Sequence, residues 1–212
     1  MSYIGTQPNN VKKNIGLYNP SEILQLTKDG SWGGSLEFIA EQTTSGAVSY
    51  NFQSIKENIY DVHLLLISGL TVPAGSQNWG IRLYESEVLE TASVYQYAYE
   101  EIGVTGSAYS NKSTGESYIK INSTGSEQWV ANIYVYFYNL GNSSKYSFCS
   151  YQGMPERRTS GGSYNDAGTY MRFGGGVLPQ ASTVDGIQIY NSATTSTGGT
   201  AKLYGVKQLW VL

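Results

Sequence analysis

The side chains that could carry out chemistry are few and widely spaced. The 212 residues hold one histidine, His63, and one cysteine, Cys149. A Ser-His-Asp or Cys-His site would have to use that histidine. Asp61 lies two residues away on the same face of an alternating segment, so a hydrogen-bonded pair is conceivable. No G-x-S-x-G turn presents a strained serine to it, so His63 is expected to be structural. Cys149, between Phe148 and Ser150 with no second cysteine for zinc, is expected to behave as a small buried hydrophobe.

Carboxylates gather in two groups, Glu85 with Glu87 and Glu90, and Glu100 with Glu101. Paired carboxylates run glycoside hydrolysis, but their place at strand ends and turns suits a solvated acidic rim, which is the expectation. The four aspartates form no D-x-D-x-D calcium loop. The runs Gly161-Gly162 and Gly174-Gly175-Gly176 lack the strand-to-helix context of a phosphate cradle and read as flexible loops. Between them, Arg157-Arg158 could clamp a neighbour's carboxylate, with an exposed solvated pair the plainer reading. The chain is therefore expected to be no enzyme, with no cofactor and no metal.

Binding is better supplied than catalysis, because there are 19 tyrosines. Tyr95, Tyr97 and Tyr99 alternate with Gln96, Ala98 and Glu100; Tyr134, Tyr136 and Tyr138 alternate with Ile133, Val135 and Phe137. A tyrosine joins a large apolar body to a polar tip and suits half-wet surfaces that meet partners. These faces could equally cover the outside of a sheet, join subunits or hold a ligand. Trp32, Trp79, Tyr95, Tyr97 and Tyr99 form a candidate sugar-stacking set, and Tyr134 and Tyr136 a candidate partner face.

The elements that must position these residues are strands. Charged residues make up only 14%, glycines number 25, and Ser, Thr and Asn fill the gaps between apolar runs; this is the composition of short strands and polar turns. Period-two segments fall at 36–41, 48–53, 60–67, 79–85, 94–100, 118–122, 130–138, 145–151 and 170–173, before a closing pair at 186–190 and 199–212 that reads as a hairpin. The expected fold is all-β, a two-sheet antiparallel sandwich of jelly-roll type, with a barrel as the alternative. Residues 1–30 lack sustained periodicity and read as an N-terminal arm or else an ordinary edge strand, with a short helical turn capped at Asn19 or Ser21; 31–212 form the sandwich domain.

The net charge of −3 supplies no basic footprint, so nucleic acid is not an expected partner. The wholly apolar run Leu64 to Ile67 is far below the roughly 20 residues a spanning helix needs, and no membrane insertion is expected. The opening MSYIGTQPNN lacks a signal-peptide apolar region. One cysteine excludes an intrachain disulfide, leaving packing or an oligomer to hold the fold. The sequons at Asn111, Asn122 and Asn142 mark polar turns.

Four segments in order carry a resemblance: SIKENIYDVHLLLISGL (54–70), NWGIRLYES (78–86), IYVYFYNLGNSSKYSFCSYQG (133–153) and the closing pair ending in LYGVK. The chain resembles a module of tailed-bacteriophage virion proteins, tail fibres and related structural proteins, and MSYIG is similar to the start of many marine-phage tail-fibre and structural proteins. The resemblance implies a jelly-roll-like sandwich exposed on the virion, a homotrimer without enzymatic activity; such a protein would contact other virion proteins through its arm and, if an adhesin, read a host surface glycan. It would be made in the host cytoplasm. No coiled-coil or triple-helical shaft repeat is present, which keeps open a compact knob or a capsid decoration (cement) protein. A carbohydrate-binding module with no virion role is the further alternative.

Overall fold

The computed structural model describes residues 20–21, 24–25, 35–43, 46, 49–72, 77–124, 128–158, 164–192 and 198–207. The chain divides into the units Met1–Ser35 and Leu36–Leu212. In the first, Pro20, Ser21, Leu24 and Gln25 are helical, at the place where Asn19-Pro20-Ser21 signals a helix start; the rest of the expected arm, and Trp32, lie outside the described residues.

The second unit is built of strands: β1 (Leu36–Thr43), β2 (Ser49–Gln53), β3 (Val62–Val72), β4 (Gln77–Glu85), β5 (Val88–Leu89), β6 (Tyr95–Gly103) and β7 (Ala108–Glu116), then β8 (Ile119–Thr124), β9 (Gln128–Tyr138), β10 (Tyr146–Arg158), β11 (Tyr164–Ala181), β12 (Val184–Asn191) and β13 (Gly198–Val206). They form a two-sheet antiparallel sandwich. The larger sheet has eight strands in the order β1-β13-β3-β9-β10-β11-β6-β7, and the smaller runs β2-β12-β4-β5, with β8 also on β4. The chain changes sheet at each step from β1 to β4 and again from β11 through β13, the crossing habit of jelly rolls.

Alternation explains the layers. Leu65, Ile67, Val135, Phe137 and Leu203 point inward from the large sheet; Phe52, Trp79, Ile81, Leu83, Ile187 and Ile189 face them from the small one. Each such side chain removed from water stabilises by about 2 kcal/mol, and none of these positions tolerates a one-residue register slip.

Several sequence expectations are corrected. The closing pair is no hairpin: β12 pairs with β2 and β4, whereas β13 pairs with β1 and β3, so the connection between them crosses from one sheet to the other. Gly174-Gly175-Gly176 is no flexible loop but the middle of β11, paired with β10 on one side and β6 on the other. A Cβ on Gly175 would sit 2.6 Å from the Cys149 carbonyl oxygen, and one on Gly176 2.5 Å from Ile119 Cγ2, so the strand passes its neighbours too closely for side chains. Asn111 and Asn122 lie in β7 and β8 rather than in turns, and Asn122 is buried. The sequence reading also passes over β7, a largely exposed edge strand whose AYSNKSTGE has no apolar face to show a period of two.

Candidate binding face

Ring burial separates the tyrosines of β6 from those of β9. Tyr95, Tyr97 and Tyr99 are 0, 8 and 4% exposed and Trp79 is 0% exposed, so these four members of the candidate sugar-stacking set belong to the interior, not the surface. The reason is parity: their strand offers Gln96, Ala98 and Glu100 as the alternative inward face, and three rings outbid those for burial. Their hydroxyls are accommodated inside. The Leu83 amide donates to Tyr95 Oη at 2.9 Å while that hydroxyl donates to the Glu90 carbonyl at 3.1 Å, and Tyr151 donates to the Lys120 carbonyl at 2.8 Å. The Tyr97 and Tyr99 rings stack at 6.1 Å.

Tyr134 and Tyr136 stand on the outer face of the large sheet, as the alternation of β9 predicts, with ring centroids 6.1 Å apart in edge-to-face contact. Tyr134 Oη donates to Gln152 Oε1 at 2.6 Å, and Tyr138 Oη lies 3.3 Å from Ser150 Oγ, so two rings of β9 fix two polar groups of β10. Phe148, Met154, Met171 and Phe173 join this face, each 40 to 50% exposed. Across β3, β9, β10 and β11, none of the outward positions in 62–68, 132–138, 148–154 and 171–177 carries a charge. Charges return at the flanks, as the Lys202–Glu41 pair at 3.3 Å on β13 and β1 and as Glu100 and Lys112 on β6 and β7. An uncharged aromatic centre inside a charged rim is the make-up of a contact surface.

The registers also shape a trough. One cross-strand row reads Ser150, Gly175, Ala98, Lys112; the row on one side reads Gln152, Phe173, Glu100, Ser110, and the row on the other Phe148, Val177, Gln96. Ser150, Gly175 and Ala98 therefore form a floor of small residues between two taller walls, with Lys112 at its β7 end. Two adjoining hollows of 540 and 410 Å³ lie along its β11–β6–β7 part, share Ala98 and Lys112, and leave Ser150 and Gln152 at the β10 end outside them.

The remaining candidates are used structurally. His63 is fully buried beside Leu65 and Ile67, its Nε2 is 2.8 Å from the Ile55 carbonyl, and Tyr60 packs edge-on at 6.0 Å. Asp61 is exposed just before the strand and makes no pair with His63, in keeping with a structural histidine. Burial holds the imidazole below its ordinary pKa, hence neutral. Cys149 is buried as expected, and burial pushes its thiol up to about 12.

Glu85 accepts from Ser182, and the Ala92 amide donates to Glu90 Oε1 at 2.6 Å. Glu100 faces out whereas Glu101 turns inward to Arg172, a buried guanidinium the sequence reading did not single out. Arg172 Nη1 also donates to Asn122 Oδ1 at 3.0 Å, and its charge lies 4.5 Å from the Tyr99 ring centroid. Arg157 and Arg158 end β10, and their side chains lie outside the described residues. Among the described residues no group of three or more His, Cys, Asp or Glu is placed to hold a metal ion, and no helix is long and apolar enough to cross a membrane.

No family model matches the sequence, and no curated protein matches it. Among solved structures, a protein of unknown function from Shewanella oneidensis MR-1 aligns over 92% of this chain and 99% of its own, at 8% identity and a TM-score of 0.21. At that score the alignment transfers neither fold nor function.

Proposed function

We propose that this protein is a structural component of a tailed-phage virion, exposed on the particle and engaged in host attachment through a trimeric β-sandwich. The observation that carries the reading is the uncharged, aromatic-rich outer face of the large sheet. Sandwich domains whose work is assembly and recognition need such a face, while the single histidine and the single cysteine are here committed to packing. The ordered segments that resemble phage structural modules support the same assignment.

In this reading the β1 side of the face joins copies. Leu36 and Phe38, 45 and 53% exposed on an edge strand, and Tyr204, whose ring meets Phe38 at 5.8 Å, offer the apolar surface that a three-fold contact would bury. Residues 1–30 would dock on other virion proteins. A capsid decoration role is the second reading, favoured by a compact sandwich in a chain without shaft repeats.

Mass spectrometry of purified virions tests the proposal. The protein should be found in the particle and should be lost when residues 1–30 are deleted; its absence from intact virions overturns the reading.

A further inference from the structure

The trough on the β10–β11–β6–β7 half of the outer face is separate from the β1 side assigned to subunit contact. Its floor crosses four strands, so it runs for about 14 Å at the usual strand spacing, and its walls stand about 13 Å apart, two residues to either side. That is the span of a short oligosaccharide, and hollows of 540 and 410 Å³ are within the size of small-molecule sites.

The lining has the mixed character that a pyranose chain requires. Phe173 rises from one wall and Phe148 from the other, exposed rings against which the apolar face of a sugar can lie. Between them the floor carries almost no side chain at Gly175 and Ala98, so a flat ring can reach the sheet. Hydroxyl partners are spaced along the edges: Gln152 and Ser150 at the β10 end, Glu100 in the same wall as Phe173, and Lys112 at the far end. Gln152 is already held at both ends of its amide, Oε1 by the Tyr134 hydroxyl at 2.6 Å and Nε2 by Met171 Sδ at 3.7 Å, and Ser150 lies 3.3 Å from the Tyr138 hydroxyl, so little ordering is left to binding and a sugar would meet their remaining lone pairs. The glycine run thus has two uses: it lets β11 pass close to its neighbours, and it empties the floor.

We propose that this trough binds a linear chain of about three pyranose rings, stacked on Phe173 and Phe148 and hydrogen-bonded by Gln152, Ser150, Glu100 and Lys112. The inference rests on the attachment reading, for which it names the ligand class and the site.

Amide NMR titration of the full chain with cellotriose, maltotriose and chitotriose tests it. At least one trisaccharide should shift the Gly174, Gly175 and Gly176 amides. Phe173→Ala should weaken that binding about tenfold, the loss of one ring contact. Ala98→Leu, an outward substitution that fills the floor, should abolish it with the rest of the spectrum unchanged. No shift from any of the three at about 10 mM, beyond the millimolar end of the affinity scale, overturns the proposal, as does binding that survives Ala98→Leu. Shifts of the same amides with protein concentration alone would make the trough a contact between copies and equally overturn it. If sugar binding fails while the protein is still found in virions, only the ligand assignment falls; absence from virions removes the attachment reading itself.

Discussion

Arg172 Nε donates to Glu101 Oε2 at 2.8 Å from a guanidinium only 3% exposed, so an ion pair is enclosed where β6 and β11 face β8. Nη2 also donates to Glu101, and Nη1 reaches Asn122 Oδ1 at 3.0 Å and the Ile121 carbonyl at 3.4 Å. Removing one partner strands the other charge. Arg172→Ala is expected to cost about 3–5 kcal/mol. The double substitution Arg172→Met with Glu101→Leu should recover most of that, but not all, because Asn122 and Ile121 lose a donor. Urea midpoints of the three proteins check this, and a double variant no more stable than Arg172→Ala would refute it.

Acid should weaken the fold in two separable steps. His63 in the folded protein has a pKa held below the ordinary 6.5, so the unfolded chain takes up a proton that the folded one refuses. Stability is then full above pH 6.5 and falls as the pH drops below it. Glu37 has its pKa lowered by the Tyr60 hydroxyl and Lys56, so its contribution is present above its ordinary 4.5 and is lost below that value. The window from pH 6.5 to 4.5 belongs to His63. Melting temperatures should decline through it in the native protein and stay level in His63→Gln; an unchanged slope in the variant counts against the assignment.

The β4–β5 turn holds two non-glycine residues in the left-handed region, Ser86 at φ 52° and Glu87 at φ 65°. A two-residue hairpin of this hand favours Asn-Gly. Replacing Ser86-Glu87 by Asn-Gly should stabilise by about 1 kcal/mol, near 2–4 °C in melting temperature. The backbone N–H at position 87, which donates to Asp185 Oδ2 at 2.7 Å, is retained. Calorimetry that shows a lower melting temperature would contradict the prediction.

Light scattering should return three times the 23.2 kDa chain mass, and Phe38→Ser with Tyr204→Ser should reduce it to one chain. Both side chains point outward, so the circular dichroism spectrum should not change. A native protein that scatters as a monomer removes the trimer.

Strand positions were legible because alternation survives wherever one face is buried: β9 reads directly as Ala131, Ile133, Val135 and Phe137 inward and its tyrosines outward. The same rule is ambiguous for β6, where either face offers a plausible interior and only the opposing sheet decides that Tyr95, Tyr97 and Tyr99 go in. The edge strand β7 is illegible for the opposite reason, since neither of its faces is apolar. The trough could not be read from any one segment. Ser150, Gly175, Ala98 and Lys112 come from four strands and meet only through register. The alternation of Phe148, Ser150 and Gln152 with the buried Ser147, Cys149 and Tyr151 was the one local sign that β10 presents rings to the outside.

The crossing between β12 and β13 sets an order of events during synthesis. Among the described residues the ladder partner of β1 is β13, which lies between β1 and β3, so Leu36 is paired with Val206. While the ribosome is still making the intervening chain, β1 has no partner and β3 keeps an open edge. The large sheet is completed only when β13 inserts between two strands made long before it. Such distant pairing makes folding slow, so a nascent chain stalled before residue 198 should leave β1 open to protease while β9 and β10, adjacent in sequence, are already protected.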